Sequence, residues 1–274
     1  MKTGLVLEGG AMRGMYTAGV LDVMLEKGIR VDYVVGVSAG ALFGINYLSG
    51  QMGRVLRYNK RFNRDKNYMG LRPLFREGNI FSTRYAYEEV PRRLDPFDDE
   101  AYQKSGIPFY AVVTNIENGM PEYIRIYSVF KQMDVLRASG SMPFVSKPVE
   151  IEGKKYLDGG ISDSVPFQFA KSLGCDKLIV ILTRDISYQK KPLSPLLIRL
   201  GFGKCPIADR LLHRHERYNR SAEELKDWEA AGKAAVIRPS CPIEIRRLET
   251  DPQKLQEVYD LGVKDGQKFV WPDC

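Results

Sequence analysis

The stretch Tyr33-Val34-Val35-Gly36-Val37-Ser38-Ala39-Gly40-Ala41-Leu42 constrains this chain more than any other. A β-branched, apolar run enters Gly-x-Ser-x-Gly, and small helix-forming residues leave it. That order reads as a strand, a sharp turn and a helix, with Ser38 at the apex. Gly36 and Gly40 fall where the two backbones come too close for side chains. A serine held there projects its hydroxyl from the end of the sheet, and the first amides of the helix face nearby negative charge. A similar unit precedes it. Gly4-Leu5-Val6-Leu7 reads as a buried strand, Gly9-Gly10-Ala11-Met12-Arg13-Gly14 as a loop, and Met15 to Lys27 as a helix ended by Gly28. Two such units in succession imply a three-layer α/β/α fold with a mostly parallel central sheet.

Further along, Phe109 to Thr114 and Glu122 to Tyr127 read as paired strands across Asn118-Gly119, and Met133 to Ala138 as a short helix. Glu150 to Leu157, broken by Gly153, reads as a hairpin delivering Asp158-Gly159-Gly160. A helix over Pro166 to Leu173 and a strand over Lys177 to Leu182 follow. Lys190 to Pro206, rich in Pro, Gly and Leu, reads as a loop or surface flap. Ala208 to Ala231 reads as one charged helix, Ala234 to Ile237 as a strand and Pro252 to Val270 as a closing helix. The 274 residues suit one domain over 1–274, its motif-bearing part at about 3–182 and the part 184–274 packed on it.

A net charge of +7 is compatible with nucleic acid, an anionic membrane surface or acidic substrates, and does not choose among them. Much of it is concentrated in residues 54–76. Arg54, Arg57, Lys60, Arg61, Arg64, Lys66, Arg72 and Arg76 face the single acid Asp65, with Tyr58, Phe62, Tyr68 and Phe75 interleaved. The stretch reads either as a contact with anionic lipid or as a solvated helical face. Cys175, Cys205, Cys241 and Cys274 lie far apart without ligand spacing, as reduced thiols of a cytoplasmic protein would. The N-terminal apolar run is too short for a signal peptide, and no window approaches the roughly 18 apolar residues of a spanning helix. The expectation is a cytoplasmic protein able to touch the inner membrane face peripherally.

A serine hydroxyl needs a base to become a nucleophile. The chain has two histidines, His213 and His215, and the order Ser, Asp, His would fit an α/β-hydrolase triad. Two observations weigh against it: one strand, rather than several, precedes the serine, and neighbouring arginines disfavour imidazolium. At i and i+2 the two histidines do not share a helix face, so they make no metal pair. Asp158 is the other candidate base. It follows the strand Lys155-Tyr156-Leu157, and burial there would raise its proton affinity; Asp-Gly-Gly alone also reads as a plain turn. For the oxyanion, the free amides of Gly9, Gly10 and Ala11 sit in a glycine-rich turn at a helix start, with Arg13 beside them, and Ala39 offers the amide just past the serine. Gly-Gly-x-x-x-Gly matches neither a dinucleotide nor a Walker loop.

A glycine-rich loop with an arginine, then Gly-x-Ser-x-Gly, then Ala138-Ser139-Gly140-Ser141-Met142-Pro143, then Asp158-Gly159-Gly160 resembles the patatin-like phospholipase family, in particular its small bacterial members. The resemblance covers about Thr3 to Leu182. It implies a Ser38–Asp158 dyad without histidine, an oxyanion hole from Gly9, Gly10 and Ala11 with Arg13, and hydrolysis of phospholipid or other fatty acyl esters through an acyl-enzyme. No metal or organic cofactor is implied. One departure is visible: Ala11 stands where the family usually has a third glycine. On this reading Leu193 to Phe202 is either an apolar lid over an acyl channel or a core-packing loop. The rivals are a Ser–His–Asp esterase using His213 or His215, and a protein that binds lipid, or less plausibly nucleic acid, without turnover.

Overall fold

The structure, a computed structural model, describes residues 2–271; Cys274 lies outside them. Strand β1 (Thr3–Leu7) leads through a short turn into helix α1 (Gly14–Glu26), and β2 (Tyr33–Val37) into α2 (Ala39–Leu48). Helices α3 (Arg54–Phe62) and α4 (Leu71–Glu77), a π-helix over Tyr85–Leu94 and α5 (Asp99–Lys104) form a long excursion before β3 (Phe109–Asn115). Then come β4 (Pro121–Ile126), α6 (Met133–Ser139), the hairpin of β5 (Val149–Ile151) and β6 (Lys154–Asp158), α7 (Phe167–Ser172) and β7 (Lys177–Ile181). The chain closes with α8 (Pro195–Phe202), α9 (Pro206–Leu212), α10 (Arg214–Ala230), β8 (Ala234–Ile237) and α11 (Pro252–Lys268).

The strands form one eight-stranded sheet in the order β5-β6-β3-β2-β1-β7-β8, with β4 paired to β3 off that path. From β3 to β8 the neighbours are parallel, while β4, β5 and β6 run antiparallel to the strands they join. The central strands are buried on both faces, which is why they read as unbroken apolar runs. Leu5, Leu7, Val34, Phe109, Ile179 and Ile181 belong to one core with α1, α2, α3, α6 and α11. Val6, Val35, Val37, Val112, Leu178 and Val180 belong to another with α7 and α10. Three α/β/α layers result.

Two expectations from the sequence need correction. Within 190–206, read as a loop, α8 is helical: Pro195 occupies its first turn and Gly203, at φ +62, follows its end. The proline and glycine are caps here rather than breakers. The single helix expected over 208–231 is two, because His213 (φ −97, ψ 11) interrupts the helical path between α9 and α10. The π-helix and α5 have no counterpart in the sequence reading, and Pro91 within the π-helix is the residue that hides it.

The C-terminal helix α11 lies directly on α1. A Cβ at Gly19 would come within 2.2 Å of the Tyr259 carbonyl oxygen, and one at Gly262 within 2.1 Å of that of Tyr16. Backbone meets backbone there, so no side chain can move aside. Gly262→Val is expected to cost at least about 1–3 kcal/mol of stability, seen in chemical denaturation as one shifted transition. A second, unshifted transition would separate the C-terminal part from the motif-bearing part.

Candidate active site

Strand β3 assembles the site through one of its edges. β4 pairs with residues 109–114 along one side. The opposite side is shared: parallel β2 occupies it up to Val37 opposite Val112, and antiparallel β6 takes it over with Asp158 opposite Val113. Two strands running in opposite directions thus end head to head on adjacent residues of β3. The residue after β2 is Ser38, and the last residue of β6 is Asp158.

Ser38 Oγ donates to Asp158 Oδ2 at 2.7 Å, and both residues are buried (8% and 7% exposed). The other carboxylate oxygen, Oδ1, accepts from the Gly160 amide at 2.7 Å. The Asp158 backbone is held from both sides: its amide donates to the Ser141 carbonyl at 2.9 Å, and its carbonyl accepts from the Thr114 hydroxyl at 2.8 Å. Burial pushes the Asp158 carboxyl above the ordinary aspartate range, against the opposing pull of the Ser38 hydroxyl, Arg214, the Gly160 amide and Arg247.

Ser38 has φ 55 and ψ −123, a backbone state that a residue with a side chain rarely adopts. Such a conformation costs on the order of 1–3 kcal/mol and persists only when its surroundings enforce it. Here the enforcement is specific. The Ser38 amide donates to Ser139 Oγ at 2.9 Å, and that hydroxyl donates to the Val112 carbonyl at 2.7 Å. Gly36 and Gly40 permit the turn, since a Cβ at Gly40 would lie 2.4 Å from the Leu7 carbonyl oxygen and one at Gly36 would lie 2.7 Å from that of Gly40.

The glycine-rich loop packs directly on the serine: a Cβ at Gly9 would sit 2.9 Å from that of Ser38. Among the described residues no group accepts from the amides of Gly10 and Ala11, so both remain available. Ala11 adopts φ 49, a region where glycine is at ease and alanine is strained. The departure from three glycines therefore leaves the loop in a glycine-type conformation. The Arg13 side chain enters the space beside Ser38, and its buried Nε has no hydrogen-bond partner. Ala39 opens α2 immediately after the serine.

Ser38 stands at the junction of two cavities, both also lined by Ala11 and Met142. One runs between α2, α3, α6 and the π-helix and is walled by Leu42, Phe43, Tyr58, Val90, Met133 and Leu136 among others. The other opens toward Arg184, Lys190, Arg214 and Arg247. The 54–76 stretch divides between the interior around the first cavity and solvent. Tyr58, Phe62 and Tyr68 are turned inward, Arg54 (4% exposed) is held by Asp95 at 3.1 Å, and Arg57 grips the same carboxylate at 2.8 Å. Outward remain Leu71, Arg72, Phe75 and Arg76 on α4, Phe75 at 83% exposure.

The histidines take no part in this arrangement. His213 lies by Asp209 and His215 by the Leu212 carbonyl, and neither lines a cavity at Ser38. Among the described residues no three His, Cys, Asp or Glu side chains are grouped to hold a metal ion. Reading the sequence missed the hydroxyl clamp of Ser139 and, of the cations in the second cavity, Arg184, Lys190, Arg214 and Arg247. Ser139 sits within the Ala-Ser-x-x-x-Pro motif, but its role needs β3 beside it. The cations lie on separate segments and share no local pattern.

A family model described as patatin-like phospholipase matches residues 5–171. The chain belongs to the patatin-like phospholipase family. Residues 206–271 match a second model, described as a domain of unknown function (DUF6363). Uncharacterized protein YjjU of Escherichia coli K12 is 29% identical over 97% of this chain and 76% of its own length. Lysophospholipase nte1 of Aspergillus terreus and lysophospholipase NTE1 of Saccharomyces cerevisiae are each 28% identical over 97% of this chain. The chain spans only 18% and 16% of those two proteins. The structure of VipD from Legionella pneumophila superposes with a TM-score of 0.48 at 13% identity, covering 97% of this chain and 66% of that one.

In this patatin-like chain Ser139 supports the strained apex without contacting Asp158's carboxylate. Ser139→Ala leaves the buried Ser38 amide and Val112 carbonyl unpaired, and is expected to cost about 1–3 kcal/mol of stability in denaturant titration. An unchanged midpoint would show that the clamp is dispensable.

Proposed function

We propose that the protein is a serine lipid acyl hydrolase that cleaves fatty acyl esters through an acyl-enzyme on Ser38, with Asp158 as the general base. The observation that carries this reading is the buried 2.7 Å hydrogen bond from Ser38 to Asp158 at the mouth of a large apolar cavity. Membership of a phospholipase family and the lysophospholipase names of two relatives support the substrate class.

In the proposed reaction an acyl chain fills the apolar cavity and brings its ester carbonyl to Ser38. Ser38 Oγ attacks the carbonyl carbon as its proton passes to Asp158 Oδ2. The oxygen that becomes negative is met by the amides of Gly9, Gly10 and Ala11, with Ala39 and Arg13 adding positive potential. Collapse of the tetrahedral species returns the proton from Asp158 to the departing alkoxide and leaves the acyl-enzyme. Asp158 then takes a proton from water, the resulting hydroxide attacks the acyl carbon, and Ser38 Oγ leaves with that proton as the fatty acid is freed. A raised Asp158 proton affinity makes it a better acceptor for a serine proton than an exposed aspartate. The outward Leu71 and Phe75, flanked by Arg72 and Arg76, are proposed as a peripheral contact with an anionic membrane face.

Ser38→Ala is expected to abolish hydrolysis of acyl esters, and Asp158→Asn to lower kcat/KM by about 10²–10⁴-fold. Replacing both His213 and His215 with glutamine should leave turnover intact; its loss would favour a Ser–His–Asp arrangement. Fluorophosphonate labelling of Ser38 would exclude a binding protein without turnover.

The pH dependence follows from the sign of the Asp158 shift. The active form is the carboxylate, and burial raises the pH at which the carboxylate forms. Activity should therefore rise with pH through an apparent pKa above the ordinary aspartate value near 3.9. A kcat/KM profile flat down to pH 4 or so would contradict the base assignment.

A further inference from the structure

The second cavity contains a concentration of positive charge that ester cleavage by Ser38 and Asp158 does not explain. Arg13, Arg184, Lys190, Arg214 and Arg247 all line it, against two carboxylates, Glu8 and Asp158. Both carboxylates are already engaged. Glu8 accepts from the Thr183 amide at 2.6 Å and from the Tyr218 hydroxyl at 2.9 Å, and Asp158 accepts from Ser38 and Gly160. Among the described residues none of the five cations has a carboxylate oxygen within 4.0 Å. The Nε atoms of Arg13 and Arg184 are buried with no hydrogen-bond partner at all.

Buried charges without partners are costly, and a protein retains them where a ligand completes them. Lys190 registers the imbalance. Burial, followed by repulsion from Arg214 and then from Arg13 and Arg184, brings its ammonium down to about 7, with Glu8 pulling the other way. Two tyrosine rings at or beside the cavity already carry cations. The Arg184 guanidinium lies 4.0 Å from the centre of the Tyr188 ring, and the Lys190 ammonium 4.0 Å from that of Tyr218. A quaternary ammonium such as choline finds no free carboxylate there and only the Phe144 ring without a cation on it, while a phosphate finds donors on several sides.

We propose that this cavity seats a terminal phosphate on the alcohol part of the substrate, so that Arg184, Lys190, Arg214 and Arg247 select acyl esters of phosphate monoesters over zwitterionic phosphocholine esters. The selection rests on the hydrolase reading above, because Ser38 must cut between an acyl chain in the apolar cavity and a phosphate in the cationic one. The two cavities meet at Ser38, which places the scissile ester between the two ends of such a molecule. Arg184, Lys190, Arg214 and Arg247 come from the segment after β7, from α10 and from the segment before α11, all beyond the residues that match the patatin model, whereas Arg13 lies within them.

The test compares monooleoyl glycerol phosphate, monooleoyl glycerophosphocholine and monooleoylglycerol. With the full-length protein, kcat/KM is expected to favour the phosphate ester over the choline ester by about ten- to a hundred-fold, the scale of charge-assisted hydrogen bonds. Arg184→Gln and, at the exposed rim, Arg247→Gln should each lower the phosphate-to-uncharged ratio several-fold. Equal turnover of all three esters, or a proportional fall for all three in both variants, would overturn the proposal. Calorimetry on Ser38→Ala protein separates the remaining cases. Tighter binding of monooleoyl glycerol phosphate than of the choline ester supports the selection even if no ester is turned over, in which case the hydrolase reading alone fails. Inorganic phosphate binding as tightly as the phosphate ester, with no preference between esters, would make this a site for free phosphate and defeat the substrate assignment.

Discussion

The hydrogen bond between Ser38 and Asp158 depends on a register. A single edge of β3 accepts β2 up to Val112 and β6 from Val113, so the ends of two oppositely directed strands are pressed together. Shifting either strand by one residue would turn its terminal side chain to the other face of the sheet. The remaining local features stabilise this junction. Ser139 fixes the Ser38 amide, Ser141 fixes the Asp158 amide, and Thr114 fixes the Asp158 carbonyl. The strained dihedrals of Ser38 are tolerated because neighbours on three different elements hold it there.

Around that junction the environment is divided. On one side the walls are apolar, and Arg54, the cation closest to them, is neutralised by Asp95 within a buried pair. On the other side cations accumulate with no carboxylate within 4.0 Å among the described residues. The net charge of +7 is therefore not a uniform property of the surface. Part of it is spent in structural pairs, part lies on the exposed face of α3 and α4, and part faces the reacting centre, where low dielectric strengthens its effect.

The elements whose patterns are local were legible in advance. Strand–glycine–helix units, the hairpin closed at Gly153 and the Asp-Gly-Gly turn all lie where the spacing puts them, because close backbone approach and positive φ restrict residue choice at those points. What escaped depends on competing local rules or on distant neighbours. Pro195 and Gly203 are helix caps that resemble loop residues, and Pro91 conceals a π-helix. His213 separates two helices that share a single run of charged residues. The inward turn of Tyr58, Phe62 and Tyr68 is likewise invisible in an alternating list of cations and aromatics, since it requires α2 and the π-helix to cover them.

The sequence by itself determined the three-layer α/β/α class and the position of the serine at a strand–helix apex, since each is written in glycine placement and apolar periodicity within a few consecutive residues; Asp158-Gly159-Gly160 alone also reads as a plain turn, and its pairing with Ser38 is what the family resemblance implies. Tertiary structure alone decided which hydroxyl holds the apex in its strained state, which cavity lies on either side of Ser38, and that Arg184, Lys190, Arg214 and Arg247, spread over three segments of the chain, converge on one of them. Charges on separate segments carry no mutual spacing rule; their convergence is set by how α10, α11 and the segments beside them pack against the sheet.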